Sequence, residues 1–442
     1  MDAHADPHTR PGKVLAMAVV MTVLALAITA LTVTGATPKT QLVSKTGSGD
    51  QIGSVSDGFG VNDSGHLVVF VTDQNDNGNG DGNFERDVYL RKVKDGSTKI
   101  VSVSSGKKIG DDDSWDPAIS GQGRFVAFAS SARNFSGLSN GFAQVYLRDR
   151  KTGKTSLVSR NASGAGVGSS RDPDVSANGR FVVFVSDAQL TAKPTGNIDQ
   201  VYLRDRWRGR TILVSKSDAG AAGTDRSFDP RISADGRYVV YASGADNLVK
   251  ASDKGFDQIY RFDRVRKKTS LISKNRYGKA GNADSEDAEI SAKGKVIVYE
   301  SDASNLVSGD KNGMDDIYMR KNGKTKRVSL NYRSKQLWGG GDGAENPDIS
   351  LNGRWLTFES TARNATKAGN STGYDHVYLR DLLTGKLTLV SRTGSRIGNA
   401  ESGDARISGD GRFVVFRTRA TNLRSPDSNG GEDDVLRRGP YR

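Results

Sequence analysis

Beyond residue 40 one pattern of apolar and polar positions recurs seven times. A short stretch of alternating character turns at a glycine and enters a mostly apolar run of four. The copies read VNDSGHLVVF from Val61, ISGQGRFVAF from Ile119, VSANGRFVVF from Val175 and ISADGRYVVY from Ile232. ISAKGKVIVY from Ile290, ISLNGRWLTF from Ile349 and ISGDGRFVVF from Ile407 complete the set. Their first residues lie 58, 56, 57, 58, 59 and 58 positions apart. A Gly-containing turn of the Asn-Gly or Asp-Gly kind between a short strand and an apolar run predicts a β-hairpin, and so continuous a run predicts a strand covered on both faces.

Two more strand signals recur in most units. One is VYLRD, as at Val145 to Asp149, Val201 to Asp205 and Val377 to Asp381; the other is LVS, as at Leu157 to Ser159, Leu213 to Ser215 and Leu389 to Ser391. Four strands per unit make a sheet that buries both faces only by stacking on neighbours about an axis. The chain is therefore expected to be all-β, a seven-bladed β-propeller of four-stranded blades. Units begin near residues 52, 114, 170, 227, 285, 344 and 402, and residues 37–442 read as one domain. The last unit lacks its LVS strand, while Leu42-Val43-Ser44 stands alone near the other end. That N-terminal strand is expected to complete the seventh blade and remove its open edge, leaving a monomer.

The fullest copy, Asp229 to Ser243, has the form D-P-x-I-S-x-D-G-R-Y-V-V-Y-x-S. It resembles the WD-like repeat of the periplasmic, TolB-like propellers, over about residues 40–442, and similar repeats occur in the propellers of prolyl oligopeptidases and tricorn proteases. The resemblance implies the fold and an exported chain. It implies little about activity, because propellers serve as lyases, gates and binding platforms alike. The chain departs from TolB, which resembles a six-bladed ring with an added N-terminal domain. It departs from the oligopeptidases in leaving no room for a hydrolase domain.

Composition narrows the chemistry. The 442 residues include 52 glycines, suited to many tight turns, and no cysteine, which excludes disulfide scaffolds, thiolate metal sites and cysteine nucleophiles. Val14 to Pro38 carries no charge and follows Arg10 and Lys13, the form of an export signal. Its apolar core reaches the ~20 residues that span a bilayer, and Thr34-Gly35-Ala36 offers small residues for cleavage. Residues 1–36 thus read as a signal peptide or membrane anchor, with the rest extracellular or periplasmic, secreted or tethered.

The net charge of +13 is expected to be unevenly placed. Loops entering the first strand and joining the second to the third open on one face and are acidic in sum. Hairpins joining the third strand to the fourth open on the other: RDRKTGKT at Arg148, RDRWRGRT at Arg204 and RKNGKTKR at Arg320 are strongly basic. The acidic face suits an envelope protein or peptide; the basic face suits anionic lipid or a cell-wall polymer. Nucleic acid is not expected outside the cell, and the aromatics mostly occupy strand positions.

Catalytic constellations are scarce. Only His66 and His376 lie beyond the signal, in different units at non-equivalent positions, and both G-x-S-x-G matches, at 137–141 and 369–373, fall in loops between strands. No catalytic residue is assigned. Carboxylates are better placed: three positions before the Ile or Val of each copy stand Gly58, Asp116, Asp172, Asp229, Asp287, Asn346 and Asp404. Propeller topology sets these around one mouth of the central channel, often with a serine two residues earlier, as at Ser114, Ser170, Ser227, Ser285 and Ser402. They either accept backbone or serine hydrogen bonds that pin the blades, or form an acidic ring that grips a cation or basic peptide. The expected function is a non-catalytic protein- or ligand-binding scaffold of the cell envelope. The alternative is a polysaccharide lyase or glycosidase at the same mouth, to be recognised by a buried proton-bearing carboxyl beside an ionised one.

Calcium is the one cofactor the loops suggest. Asp73, Asn75, Asn77 and Asp81 match an EF-hand loop whose closing ligand, Glu85, comes one residue late. Asp310, Asn312 and Asp315 form a shorter oxygen-rich loop at the same point of unit five, and Asp427, Asn429 and Glu432 form another in unit seven. Such loops are also ordinary turn chemistry.

Overall fold

The computed structural model describes residues 37–441 apart from 54, 74–82, 137–140, 165–166, 251–254, 342, 368, 371 and 425–426. Seven four-stranded antiparallel sheets make a β-propeller, six of them in chain order from the axis outward and the seventh with the N-terminal strand outermost. Blade three shows the plan, with strands Ser170–Val175, Phe181–Ser186, Gln200–Asp205 and Arg210–Leu213. Its apolar run explains the stacking. Val182 and Phe184 pack with Ala127 and Leu147 of blade two, while Phe181 and Val183 pack with Val239 and Tyr241 of blade four. Alternate side chains of one strand therefore bury against opposite neighbours, which is why the run contains no polar residue.

Each recurring phrase has a bonding role. The aromatics of the second and third strands stack, as Phe184 on Tyr202 with ring centres 5.9 Å apart. The serine of LVS donates to the first residue of the third strand, as Ser215 Oγ to Gln200 Oε1 at 2.7 Å. The arginine after the Gly turn clamps the aspartate of VYLRD with two bonds: Arg180 Nε to Asp205 Oδ1 at 3.0 Å and Arg180 Nη2 to Asp205 Oδ2 at 2.9 Å. Arg124–Asp149, Arg237–Asp263 and Arg354–Asp381 repeat the clamp. Hydrogen bonds also join the first hairpins of neighbouring blades near the axis, among them Asp63 N to Gly121 O at 3.0 Å, Leu351 N to Gly409 O at 3.0 Å and Asp410 N to Asp63 O at 2.8 Å.

The seventh blade is completed as the orphan strand predicts. Lys39–Leu42 pairs antiparallel with Asp434–Gly439, Lys39 opposite Gly439. Val43 N continues the ladder to Val435 O at 2.8 Å, and Ser44 Oγ donates to Asp434 Oδ1 at 3.0 Å, the serine bond of every other blade. The strand opens earlier than LVS alone indicates, because its Lys39-Thr40 matches Lys154-Thr155 and Lys268-Thr269 at the same place in blades two and four. The signal or anchor reading falls on residues 1–36, outside the described residues. Among those described, no helix is long and apolar enough to cross a membrane.

Candidate ligand site at the channel mouth

The innermost strand of each blade is bulged where the ring residue stands. In blade three Arg171 pairs with Val185 but Asp174 with Val183, so one extra residue is accommodated between them. The ring residue takes it up in the left-handed region: Asp116, Asp172, Asp229, Asp287, Asn346 and Asp404 have φ between 47° and 51°, and Gly58 has φ 99°. Asp, Asn and Gly are the residues that tolerate this conformation, which accounts for their choice. The serines two positions earlier do not bond to the ring. Ser114, Ser170, Ser227 and Ser285 donate to Ser130, Ser186, Ser243 and Ser301 of the second strands, at 2.8 to 2.9 Å. Serine pairing thus belongs to the blade interior and leaves the ring carboxylates to the channel.

That channel encloses about 410 Å³, with Asp116, Asp172 and Asp229 among its lining; Asp287 and Asn346 border an adjoining pocket. Burial and the nearby Asp116 push Asp172 up to about 7. Burial and Asp287 push Asp229 up to about 6. Asp404 is bound instead by Arg417, Nε to Oδ2 at 2.6 Å.

Two residues beyond the ring a second layer forms the waist. It reads Gly60, Ala118, Asp174, Arg231, Glu289, Asp348 and Arg406 around the seven blades, all lining the channel. Arg231 Nε donates to Glu289 Oε1 at 2.8 Å, and burial, which lowers an arginine's pKa, is more than offset by Glu289 and Asp174, so this cation is held charged. Asp174 and Asp348 tie blades together by accepting from Ile232 N at 2.8 Å and Ile407 N at 2.6 Å. Burial raises Asp174 to about 6 and, helped by Glu289, Asp348 to about 7. Charge thus crowds one side of the waist, while glycine and alanine leave the side of blades one and two open. The sequence reading missed this layer. Its signal was a position that changes from unit to unit between neighbours that stay apolar.

A third set lies behind the mouth in blades five to seven. The last residue but one of the second strand is Val71, Ala129, Val185 and Ala242 in blades one to four, but Glu300, Glu359 and Arg417 in the rest. Glu300 Oε2 accepts from Asn346 N at 3.0 Å, and Glu359 Oε2 from Asp404 N at 3.0 Å, each reaching the ring residue of the next blade. Burial, reinforced by Asp287, lifts Glu300 to about 9, and burial lifts Glu359 to about 7. Glu359, Asp404, Arg417 and Asp433 line a separate cavity of about 170 Å³.

Outside the ring, on the same face, the loops between second and third strands expose Phe84 (77%), Phe142 (51%), Phe256 (37%) and Tyr374 (42%). Most aromatics occupy strands, and these four stand outside them. Gly-Phe or Gly-Tyr just ahead of the third strand was the available signal, at Phe142, Phe256 and Tyr374.

Of the calcium loops, Asp73 and Glu85 are described, whereas Asn75, Asn77 and Asp81 lie outside the described residues. In unit five Asp310 accepts from Tyr318 Oη at 2.6 Å and Gln336 Nε2 at 2.9 Å. Arg327 stands between Asp310 and Asp316, 3.2 and 2.9 Å away. Asn312 turns its amide towards Leu337 O at 3.4 Å, and Asp315 O accepts from Ala344 N at 2.9 Å. Among the described residues no group of three or more His, Asp or Glu is arranged to hold a metal ion. His376 occupies the position of Gln144 and Gln200, 3.2 Å from Ser391 Oγ, and burial lowers it to about 4.

No family model and no curated protein matches the chain. Solved structures do. The β-propeller domain of the Trilobed protease from Pyrococcus furiosus, which has an open velcro topology, is 12% identical over 82% of this chain and 90% of its own, with TM-score 0.51. Oligogalacturonate lyase from Vibrio parahaemolyticus is 12% identical over 91% and 97%, with TM-score 0.51. TolB from Acinetobacter baumannii is also matched, 15% identical over 89% and 79%, with TM-score 0.40. At such identities the likeness shows the β-propeller fold alone.

Proposed function

We propose that the chain is an exported, non-catalytic binding module of the cell envelope whose channel mouth takes a cationic ligand, a basic segment of a peptide or protein. The observation that carries this reading is the ring itself: six left-handed bulges hold Asp116, Asp172, Asp229, Asp287, Asn346 and Asp404 about one opening, with Asp172 and Asp229 raised by burial and by the neighbouring Asp116 and Asp287. Carboxylates crowded beyond what Arg171, 3.7 Å from Asp172, offsets gain when a further cation arrives. The exposed Phe84, Phe142, Phe256 and Tyr374 on that face add ring surfaces suited to cation–π and stacking contacts. Small side chains at Gly60 and Ala118 leave space for an arginine or lysine to enter the channel.

Calorimetric titration with an arginine-rich peptide, compared with a glutamate-rich one of equal length, tests it. Asp172 and Asp229 are protonated below about 7 and 6, so affinity for the basic peptide falls as pH drops from 8 to 5. Asp172→Asn with Asp229→Asn weakens binding at pH 8 tenfold or more and flattens the pH dependence. Equal affinity for both peptides overturns the reading.

One observation favours the enzymatic alternative. Glu359, raised to about 7, lines the same small cavity as Asp404, which is paired with Arg417. A proton-bearing carboxyl beside an ionised one is the arrangement that acid/base cleavage of a glycan needs. Release of reducing or unsaturated ends from acidic or neutral polysaccharides, abolished by Glu359→Gln, would establish it.

A further inference from the structure

We infer that the face opposite the mouth docks flat on an anionic phospholipid bilayer. The hairpins joining third and fourth strands form that face, and three of them lift a large apolar side chain from their tips: Trp207 in blade three, Val265 in blade four and Leu383 in blade six, exposed by 68%, 63% and 76%. These tips are firmly based. Val265 N and Leu383 N each donate at 3.0 Å to the aspartate that opens the turn, Asp263 and Asp381. Trp207 lies 4.7 Å beneath the guanidinium of Arg180.

The charge around the tips has been sorted by the fold. In blades two, three, four and six the hairpin brings an aspartate and cations, but Asp149, Asp205, Asp263 and Asp381 turn inward to their arginine clamps, with side chains at most 11% exposed; only Asp95 of blade one stays at the surface of these hairpins, beside Lys92. Arg204 and Arg380 are buried, but Lys151, Arg208, Arg266, Lys267, Lys268 and Lys324 are all exposed. What reaches solvent is therefore cationic and apolar together, the pairing that an interfacial anchor requires, with rings and aliphatic groups at headgroup depth and cations on the phosphates. A polyanionic polymer of the wall would be served by the cations alone and has no partner for an exposed Trp, Val and Leu.

Chain geometry points the same way. Lys39 lies opposite Gly439, at the end of the third strand where these hairpins lie, so the sequence before it is covalently joined on this face. That sequence contains the uncharged run Val14 to Pro38. The apolar tips of blades three, four and six spread around the disc. A disc resting on them turns its acidic mouth away from the membrane, towards a partner.

The cysteine-free chain permits single labels. In the full-length protein, an environment-sensitive fluorophore is placed at Lys151→Cys on this face and, separately, at Phe142→Cys on the mouth face. Each is mixed with vesicles of phosphatidylcholine alone or with 30% phosphatidylglycerol. The expected result is a blue shift at Lys151→Cys with the anionic vesicles only, reversed by high salt, and none at Phe142→Cys. Trp207→Ser with Leu383→Ser, both at exposed positions, reduces that shift at limiting lipid at least fivefold. Lys267→Glu with Lys268→Glu reduces it similarly. A shift at Phe142→Cys, no shift at either label, or a shift indifferent to the apolar tips overturns the proposal. The last of these, joined with equal binding to a soluble polyanion, would assign the face to a polymer.

Discussion

Glu300 puts a carboxyl where four other blades keep valine or alanine, and the cost of that choice can be worked out. Burial first, then Asp287, holds it at about 9, against 4.5 for an ordinary glutamate. Between these values the folded chain keeps a proton that the unfolded chain has released, so stability declines as pH rises through the window from 4.5 to 9. At pH 7 the decline amounts to about 3 kcal/mol at ~1.36 kcal/mol per pH unit, an upper figure since solvent reaches part of the side chain. Glu300→Gln retains a carbonyl oxygen for the 3.0 Å bond from Asn346 N and removes the ionisation. The variant should therefore be more stable than the parent by about 1 to 3 kcal/mol at pH 7, and by no more than about 0.4 kcal/mol near pH 4.5, where the folded glutamate is neutral and the unfolded one half ionised. Urea unfolding followed by tryptophan fluorescence at pH 4.5, 7 and 8.5 measures the difference. A gap that stays constant across this range, or a variant weaker than the parent at pH 7, would refute the reasoning. The same substitution should weaken binding of the basic peptide, because a cation arriving beside Asp287 draws the proton off Glu300 and leaves a further negative charge to meet it.

Closure and the loops give two more outcomes. Deleting residues 37–46 strips the outer strand from blade seven, removes the buried Val43 and Ser44 and exposes the edge Asp434–Gly439, so the melting temperature drops sharply; an unchanged value would sink the shared-blade arrangement. Melting in millimolar calcium against chelator tests the oxygen-rich loops: Asp310→Asn leaves any calcium shift intact, because Arg327 and Tyr318 already occupy Asp310, whereas Asp73→Ala with Asp81→Ala abolishes it. Identical curves with calcium and chelator would reduce the Asp73 loop to turn chemistry.

Blade number, strand order and ring closure were legible because each rests on residues that every unit must repeat to stack on the next. The aspartate ring was legible as a position but not as a cause. Its residue types answer first to a left-handed bulge, and only afterwards to whatever the carboxylates bind. Trp207, Val265 and Leu383 escaped notice because a single apolar residue in a charged hairpin carries no period. The waist and the second-strand carboxyls escaped for another reason: side chains from Asp174 to Arg406 meet only when the ring closes, and one unit's sequence does not say which substitutions in other units it will face.

Seven copies in one chain nevertheless act as a control on one another. A position filled alike in all of them, such as the serine of LVS, answers to stacking, since stacking is what the blades share. A position that departs in only some blades has no such reason. Glu300, Glu359 and Arg417 interrupt apolar runs that Val71, Ala129, Val185 and Ala242 fill, and Glu300 does so at a loss of stability near neutral pH. Random drift would scatter such departures around the ring and remove the costly ones first. Here they converge on one sector of one channel end, behind Asp287, Asn346 and Asp404. The sevenfold scaffold therefore carries a one-sided site, and a ligand that enters the mouth should lie across blades five to seven with its cationic group towards Glu300 and Glu359, its remainder passing over the open side at Gly60 and Ala118.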